Sequence, residues 1–416
     1  MIFNKSKSSE YDDKYIVAMD IGTEFTKAII GKIDKKTIEV IGVGRAHQEI
    51  GNMYSGAVAD IMGTVKNCEI ALTQAEKQAG LQARKVVIGI AGEFVKGITS
   101  TIRYKRSQPN KNLDEEEMEL IIDKIQERAA KIAQKQIAVE TGNPEVEVKL
   151  VNSAIVSIHI DGYKVTNPIG FPGKDVAIQI YTAFAPMVHI GALERVASEL
   201  DLDLLAVTAE PFAVSRAVLG DDSNSNFTAI VCDIGGGTTD IAVINDGGVE
   251  GTKMFGVAGR SFTRTIENEL NIPYDSAEKL KINIDSPKIK PDLKKKVEEA
   301  VDKTLEVWMS GVELALSEFD AIDQLPNRIL MCGGGSSLDK IIEGLKGQEW
   351  WKDLPFSRQP SVRLIEPSSV RGIEDKTGDL KDHTIITAMG LLRVGYDTIN
   401  SDDESIKGKL DRIMRI

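Results

Sequence analysis

An α/β fold of two related halves that close on one ligand is expected from three segments of this 416-residue chain. Asp20-Ile21-Gly22-Thr23-Glu24-Phe25-Thr26-Lys27 and Asp233-Ile234-Gly235-Gly236-Gly237-Thr238-Thr239-Asp240 lie in opposite halves. Each follows an apolar β-type run, Tyr15 to Met19 and Ala229 to Cys232, so each carboxylate falls at a strand end and glycines turn the chain after it. The third segment is a buried-strand run, Arg328 to Cys332, followed by Gly333-Gly334-Gly335-Ser336-Ser337-Leu338 and a helical pattern from Asp339 to Leu345.

The chemistry of these turns favours a nucleotide. Backbone N–H groups freed by a Gly/Thr turn form an anion-binding nest for phosphates. Strand-end carboxylates can hold a Mg2+ that keeps most of its waters and bridges phosphate oxygens. A triple glycine ahead of a helix lets backbone lie flat against a ligand, where a plain turn would need one glycine. A single Asp-x-Gly-Thr turn would suit a hairpin equally well; the pairing carries the inference. Neither GxxxxGK[ST] nor GxGxxG occurs, so the usual P-loop and Rossmann signatures are missing.

Along the chain, Tyr15 to Val43 reads as strand, turn, strand, strand. A helix follows from Asp60, its N-cap, to Ala79, with apolar residues at Ile61, Val65, Cys68 and Leu72 and its stop at Gly80. Val86 to Ile90 is the next buried strand. From Gly97 to about Gly173 the texture changes: a strand over Ile98 to Tyr104, a polar loop with Pro109, and a long charged helix from Leu113 to about Gln136. That helix carries a stripe of Met118, Ile121, Ile122 and Ile125, with Ile132 further on. Two strands, Val146 to Val151 and Ala154 to Ile160, complete an inserted block. Val176 to Phe184 is expected to resume the first sheet, Val188 to Leu200 to be a helix and Leu204 to Thr208 a strand. The second half, from about Ser215 to Asp379, is mostly helical between Gly259 and Phe319.

The three segments, in this order, resemble the actin-like ATPase superfamily, with its two phosphate motifs and its adenosine motif. Glu210-Pro211-Phe212-Ala213-Val214 and Ile386-Thr387-Ala388-Met389-Gly390-Leu391-Leu392 resemble the two interdomain connections. Within the superfamily, Val87-Ile88-Gly89-Ile90-Ala91-Gly92, Asn167-Pro168-Ile169-Gly170 and Ala277-Glu278-Lys279-Leu280-Lys281 resemble the FtsA family of bacterial cell-division proteins. Three departures stand out: the family's Gly-Gly pair is Ala258-Gly259 followed by Arg260, the insert is longer between Ala130 and Glu147, and the loop after Lys281 is short. A heat-shock chaperone would carry a large further domain after Leu392. A sugar or acetate kinase would need an acceptor pocket with a general base.

The resemblance implies an α/β fold of two actin-like (ribonuclease H-like) domains clamping a nucleotide, with an inserted α+β 1C (SHS2-type) subdomain. The divisions expected are a tail (1–14), subdomain 1A (15–97, 176–214 and 380–396), 1C (98–175), 2A (215–258 and 325–379) and 2B (259–324). A linker (397–405) and a terminal helix (406–416) follow. It further implies that Asp20 and Asp233 position Mg2+ through water. Gly22, Thr23 and Lys27 would contact the ATP phosphates, with Gly235, Gly236, Gly237 and Thr238 opposite. Gly259 lies on the phosphate side, Glu278 and Lys281 hold the adenosine, and Gly334, Gly335 and Ser336 its base and ribose. Glu210 would orient the attacking water; its bland alternative is a helix N-terminal carboxylate stabilised by the macrodipole. One carboxylate without a second base implies at most slow hydrolysis.

Composition and charge bound the partners. Apolar residues make up 42% and charged residues 27%, the profile of a globular protein. The net charge of −12 argues against nucleic acid as a general partner. Residues 1–14 are polar, unlike a secretory signal. Cys68, Cys232 and Cys332 have no metal-ligand spacing, and the odd count suits reducing cytosol. After the polar linker, Ile406, Leu410, Ile413, Met414 and Ile416 fall on one side of a helix, with Lys407, Arg412 and Arg415 on the other and Lys409 flanking. This is the pattern of an interfacial helix on anionic lipid. Each basic residue contributes about 1 kcal/mol there, so one tail binds weakly and an array firmly.

The resemblance therefore implies a protein on the inner face of the cytoplasmic membrane that forms filaments through 1C and neighbouring subdomains and tethers the tubulin-like protein FtsZ. The FtsZ C-terminal peptide would dock on the 2B helices, with Lys295, Lys296 and Lys303 as candidate contacts. The rival readings are a PilM-type pilus-assembly adaptor binding a membrane protein's cytoplasmic peptide, and a small-molecule kinase of the same fold.

Overall fold

The computed structural model describes residues 14–34, 37–220, 226–319, 322–347 and 349–400. β1 (Tyr15–Ile21), β2 (Phe25–Asp34) and β3 (Thr37–His47) form an antiparallel meander, followed by the small hairpin β4 (Met53–Tyr54) and β5 (Ala57–Val58). Helix α1 (Ile61–Ala79) starts at Asp60, whose carboxylate accepts from the Gly63 N–H at 3.2 Å. It stops at Gly80, where φ is 71°. β6 (Lys85–Ile90) then lies parallel to β1.

The insert comprises β7 (Lys96–Lys105), α2 (Glu115–Thr141), β8 (Val148–Ile160), β9 (Tyr163–Lys164) and β10 (Asp175–Pro186). The Asp114 carboxylate caps α2 by accepting from the Glu117 N–H at 2.9 Å, and three glutamates fill the first turn, where the helix dipole favours them. Helix α3 (Met187–Glu199) leads to β11 (Asp203–Ala209), parallel to β6, and on to α4 (Glu210–Leu219).

The second lobe repeats the first. β12 (Ala229–Ile234), β13 (Thr239–Asn245) and β14 (Gly248–Phe255) form its meander. Helices α5 (Gly259–Leu270), α6 (Tyr274–Ile282) and α7 (Pro291–Ser317) follow. Then come β15 (Arg328–Cys332), α8 (Asp339–Leu345), β16 (Ser361–Leu364), β17 (Ile373–Asp375) and α9 (Ile386–Asn400). The first sheet runs β11-β6-β1-β2-β3-β17; the second contains β16-β15-β12-β13-β14 with the same sequence of parallel and antiparallel pairings. The two halves are thus related by topology where side-chain identity is low.

Each lobe has its own apolar core. Ile16, Met19, Ile29 and Ile88 lie at the centre of the first, and Phe262, Trp308, Val301 and Met331 at that of the second. The connecting helices α4 and α9 cross closely: a Cβ at Gly390 would lie 2.1 Å from the Ala213 carbonyl oxygen.

Four expectations are corrected. Val176 to Phe184 does not resume the first sheet: β10 pairs with β7 from Asp175↔Lys105 to Phe184↔Lys96, and with β8 on its other side. β11 takes the place beside β6 instead, reached through α3, and an apolar run does not encode which sheet it joins. The two strands expected between Val146 and Ile160 are one: β8 steps out of register with β10 at Val151 and Val156, while Asn152 and Ser153 stay paired with Ala183 and Thr182 and Asn152 Oδ1 accepts from the Ala209 N–H at 2.8 Å. Ile132 is 37% exposed; Ala129, Ala133 and Ile137 continue the buried stripe. Finally, α9 runs to Asn400, so residues 397–400 are helical and not linker.

No helix among the described residues is long and apolar enough to cross a membrane. The tail up to residue 13, the rest of the linker, and Ile406, Leu410, Ile413, Met414 and Ile416 lie outside the described residues.

Candidate functional site

Because β1 and β12 hold matching places in the two sheets, Asp20 and Asp233, each one residue before its strand's end, meet at one cleft. The cavity there, about 420 Å³, is lined by Asp20, Gly22, Thr23, Lys27, Glu210, Asp233, the loop from Gly235 to Thr238, Gly259, Glu278, Lys281, Gly334 and Gly335. The structure therefore brings together every residue expected at the nucleotide except Ser336. That side chain is fully buried with its hydroxyl donating to the Cys332 carbonyl at 2.5 Å, and Ser337 lines the cavity in its place. The Gly334–Ser337 turn is 3-10, which rotates successive residues differently from an α-helical start.

The loops interlock. A Cβ at Gly237 would lie 2.5 Å from Thr23 Oγ1, and one at Gly236 2.9 Å from the Glu24 Cβ. Gly333 has φ 81°, and a Cβ there would lie 2.1 Å from Asp233 Oδ1. Within these turns, the N–H groups of Thr23, Gly236 and Gly237 donate to no backbone carbonyl among the described residues. They form the free-amide nest that phosphate oxygens would fill.

Electrostatically the cleft holds four buried carboxylates, with the half-buried Lys27 ammonium among them. Lys27 Nζ lies 2.8 Å from Asp20 Oδ2; burial works against its charge, but the Asp20 carboxylate holds its pKa above the ordinary value. Burial also raises the Asp233 pKa, against the Thr387 hydroxyl that donates to Oδ2. Asp240, facing Asp233 across the β12–β13 hairpin, is pushed well up by burial and then by Asp233. Thr238 Oγ1 donates to its Oδ2 at 3.2 Å, while its Oδ1 is buried without a hydrogen-bond partner. Glu210, the first residue of α4, is pushed well up by burial and then by Asp20, Asp240 and Asp233.

This excess of buried acid, with one orphaned oxygen, fits a hydrated divalent cation. Among the described residues no three Asp, Glu, His or Cys side chains converge as direct metal ligands. Glu278 and Lys281 form a 2.8 Å ion pair on α6, and Lys281 Nζ also donates to the Gly259 carbonyl at 2.9 Å and to Thr263 Oγ1 at 2.8 Å. The three cysteines are buried free thiols.

Sequence reasoning passed over Asp240 and Thr387. Asp240 could have been found by counting register through the Gly235–Thr238 turn, which sets it opposite Asp233. Lys295, Lys296 and Lys303 lie exposed on α7, away from the cleft. Lys303 pairs with Glu269 at 2.8 Å and Lys295 approaches Glu299 at 3.9 Å, so both already have acidic neighbours of their own lobe.

Comparison with known proteins agrees with this architecture. The family model described as "Cell division protein FtsA" matches residues 230–390. The chain is 25% identical to a cell division protein FtsA of Pseudomonas aeruginosa, over 93% of this chain and 91% of that protein. It is also 25% identical to the FtsA of Bacillus subtilis, over 65% of this chain and 58% of that protein. Among solved structures, the PilM-PilN type IV pilus biogenesis complex superposes with a TM-score of 0.64 at 16% identity, covering 90% of this chain and 97% of that one. The actin-like α/β fold and the resemblance to FtsA read from the sequence are borne out by these matches.

Proposed function

We propose that this protein binds ATP with Mg2+ in the interlobe cleft, assembles into filaments, and tethers FtsZ to the inner face of the cytoplasmic membrane. The observation that carries the nucleotide reading is the meeting of Asp20 and Asp233 from repeated lobes over one cavity, with Lys27 the cation paired to Asp20 there. The division role is supported by the FtsA relatives and by the basic amphipathic pattern of Ile406 to Ile416.

The chain's residues divide the work. Thr23, Gly236 and Gly237 present amides to phosphate oxygens, and Lys27 adds one positive charge. Asp20, Asp233 and Asp240 would hold the waters of Mg2+, which supplies neutralisation of the phosphate charge. Glu210 shares their cavity; burial first and the neighbouring acids second raise its pKa, and a cation held by those acids would remove only the second contribution. Glu210 then orients a water and accepts its proton, and without a second base hydrolysis is slow. Nucleotide state thereby acts as a timer of assembly.

The test is liposome co-sedimentation of the intact chain against one ending at Asn400, each with Mg2+-ATP and with a peptide from the FtsZ tail. The intact chain should sediment with anionic vesicles and the shortened one should not, both binding the peptide. If both stay in solution with lipid, the tether reading fails. If the FtsZ peptide does not bind, the PilM-type adaptor reading takes its place. Phosphate transfer to a small acceptor would favour the kinase.

A further inference from the structure

Arg260 directly follows Ala258-Gly259, the pair that stands where the FtsA pattern has two glycines, and it reaches across the cleft. Its N–H donates to the Gly236 carbonyl at 2.8 Å, which fastens its backbone to the second lobe's phosphate loop. Its guanidinium leaves that lobe: Nε donates to Glu24 Oε2 at 2.8 Å and Nη2 to the Thr23 carbonyl at 2.6 Å. Glu24 is fastened to the first lobe at two further points, with Oε1 2.9 Å from His47 Nε2 and its carbonyl accepting from the Gln48 N–H at 2.9 Å. Each partner is therefore anchored at home, and the guanidinium contacts span the gap. The Arg260 and Glu24 side chains are 13% and 20% exposed, so this charge-assisted pair is shielded from the screening that weakens surface bridges.

Thr23, Glu24, Gly236 and Arg260 all line the cavity, at the place where the two loops touch. We propose that the Arg260–Glu24 pair is a clasp that controls release of bound nucleotide. It rests on the nucleotide reading of the cleft. Phosphates seated on the Thr23 and Gly236 amides leave when the lobes part, and the lobes part when the guanidinium lets go. Arg260 is a positioning residue: it acts by holding Thr23 and Glu24 against the opposite loop.

The experiment is chase-induced release of a fluorescent ADP, with Mg2+, from the intact chain, Arg260→Ala, Glu24→Gln and the double variant. Glu24→Gln should speed release about tenfold, the size expected for losing one charge-assisted hydrogen bond, and Arg260→Ala, which also loses the bond to the Thr23 carbonyl, at least as much. The double variant should release no faster than the faster single, because both changes remove the same contact. Unchanged release, or effects that multiply, would overturn the clasp.

Amide hydrogen exchange on the nucleotide-free proteins reads the same contact without ligand. Exchange over residues 20–27 and 256–264 should quicken in both single variants, and unchanged exchange counts against the clasp. Should the unaltered chain take up no labelled ADP while exchange quickens, the nucleotide reading fails, and the release role with it, leaving a clasp between lobes.

Discussion

Replacing Asp240 with asparagine should stabilise the ligand-free protein and cost it Mg2+-nucleotide. Asp240 and Asp233 are direct partners across the β12–β13 hairpin, and both are buried. Side chains so paired lie about 5 Å apart, and two unit charges at that distance repel by about 3 kcal/mol at an effective dielectric of 20. Protonation relieves part of this, which leaves ~1–2 kcal/mol to be gained by the amide. The pH dependence has a definite sign. Burial first, and like charge second, raise the folded-state pKa of Asp240, while for Glu210 burial and the neighbouring acids do the same. Groups of this kind add stability that is full below their unfolded pKa of about 4 and is lost as pH rises through the folded value. Urea unfolding in EDTA should therefore show a wild type that weakens from acid to neutral pH and an Asp240→Asn protein that weakens less. Calorimetry with Mg2+-ATP should then show the variant's affinity reduced at least tenfold. A variant less stable than wild type in EDTA at neutral pH, or one with undiminished Mg2+-ATP heat, refutes the reasoning.

Lys27→Ala strips the ammonium from a buried pair with Asp20 and should destabilise the protein by ~3 kcal/mol in denaturant unfolding, with nucleotide affinity down at least tenfold. Glu210→Gln should slow phosphate release in a hydrolysis assay by ~100-fold and leave ATP affinity within a few-fold, since the amide keeps the shape and loses the base. Trp308→Phe removes the indole N–H donated to Thr239 Oγ1 at 2.9 Å in the second lobe's core. It should lower the denaturant midpoint by the equivalent of ~1–2 kcal/mol and spare nucleotide binding.

What was legible in the sequence was whatever local pattern fixes. Asp60 and Gly80 bound α1 because capping is decided within a turn, and the strand-end positions of Asp20 and Asp233 followed from apolar runs stopped by glycine. What was not legible depended on partners distant in sequence. The run of β10 looks the same whether it joins one sheet or the other; its pairing with β7 decides. Ile132 was misplaced because α2 buries alanines where it lies closest to its sheet, and small residues do not announce an apolar face. Ser336 and Ser337 exchange roles because a 3-10 turn rotates each residue by more than an α-helix does. Asp240 went unassigned although its segment was the best marked, since its role comes from standing opposite Asp233.

The crossing of α4 and α9 at Gly390 has a mechanical meaning. The two passages of chain that join the lobes touch at that point, with no side chain between Gly390 and the Ala213 carbonyl. It is the natural fulcrum for rocking one lobe on the other. Glu210 begins α4 on one arm of that lever, and Asn400 ends α9 on the other, at the root of the segment leading to Ile406 to Ile416. A rotation of one lobe on the other about that contact would displace the two helix ends, Glu210 and Asn400, together.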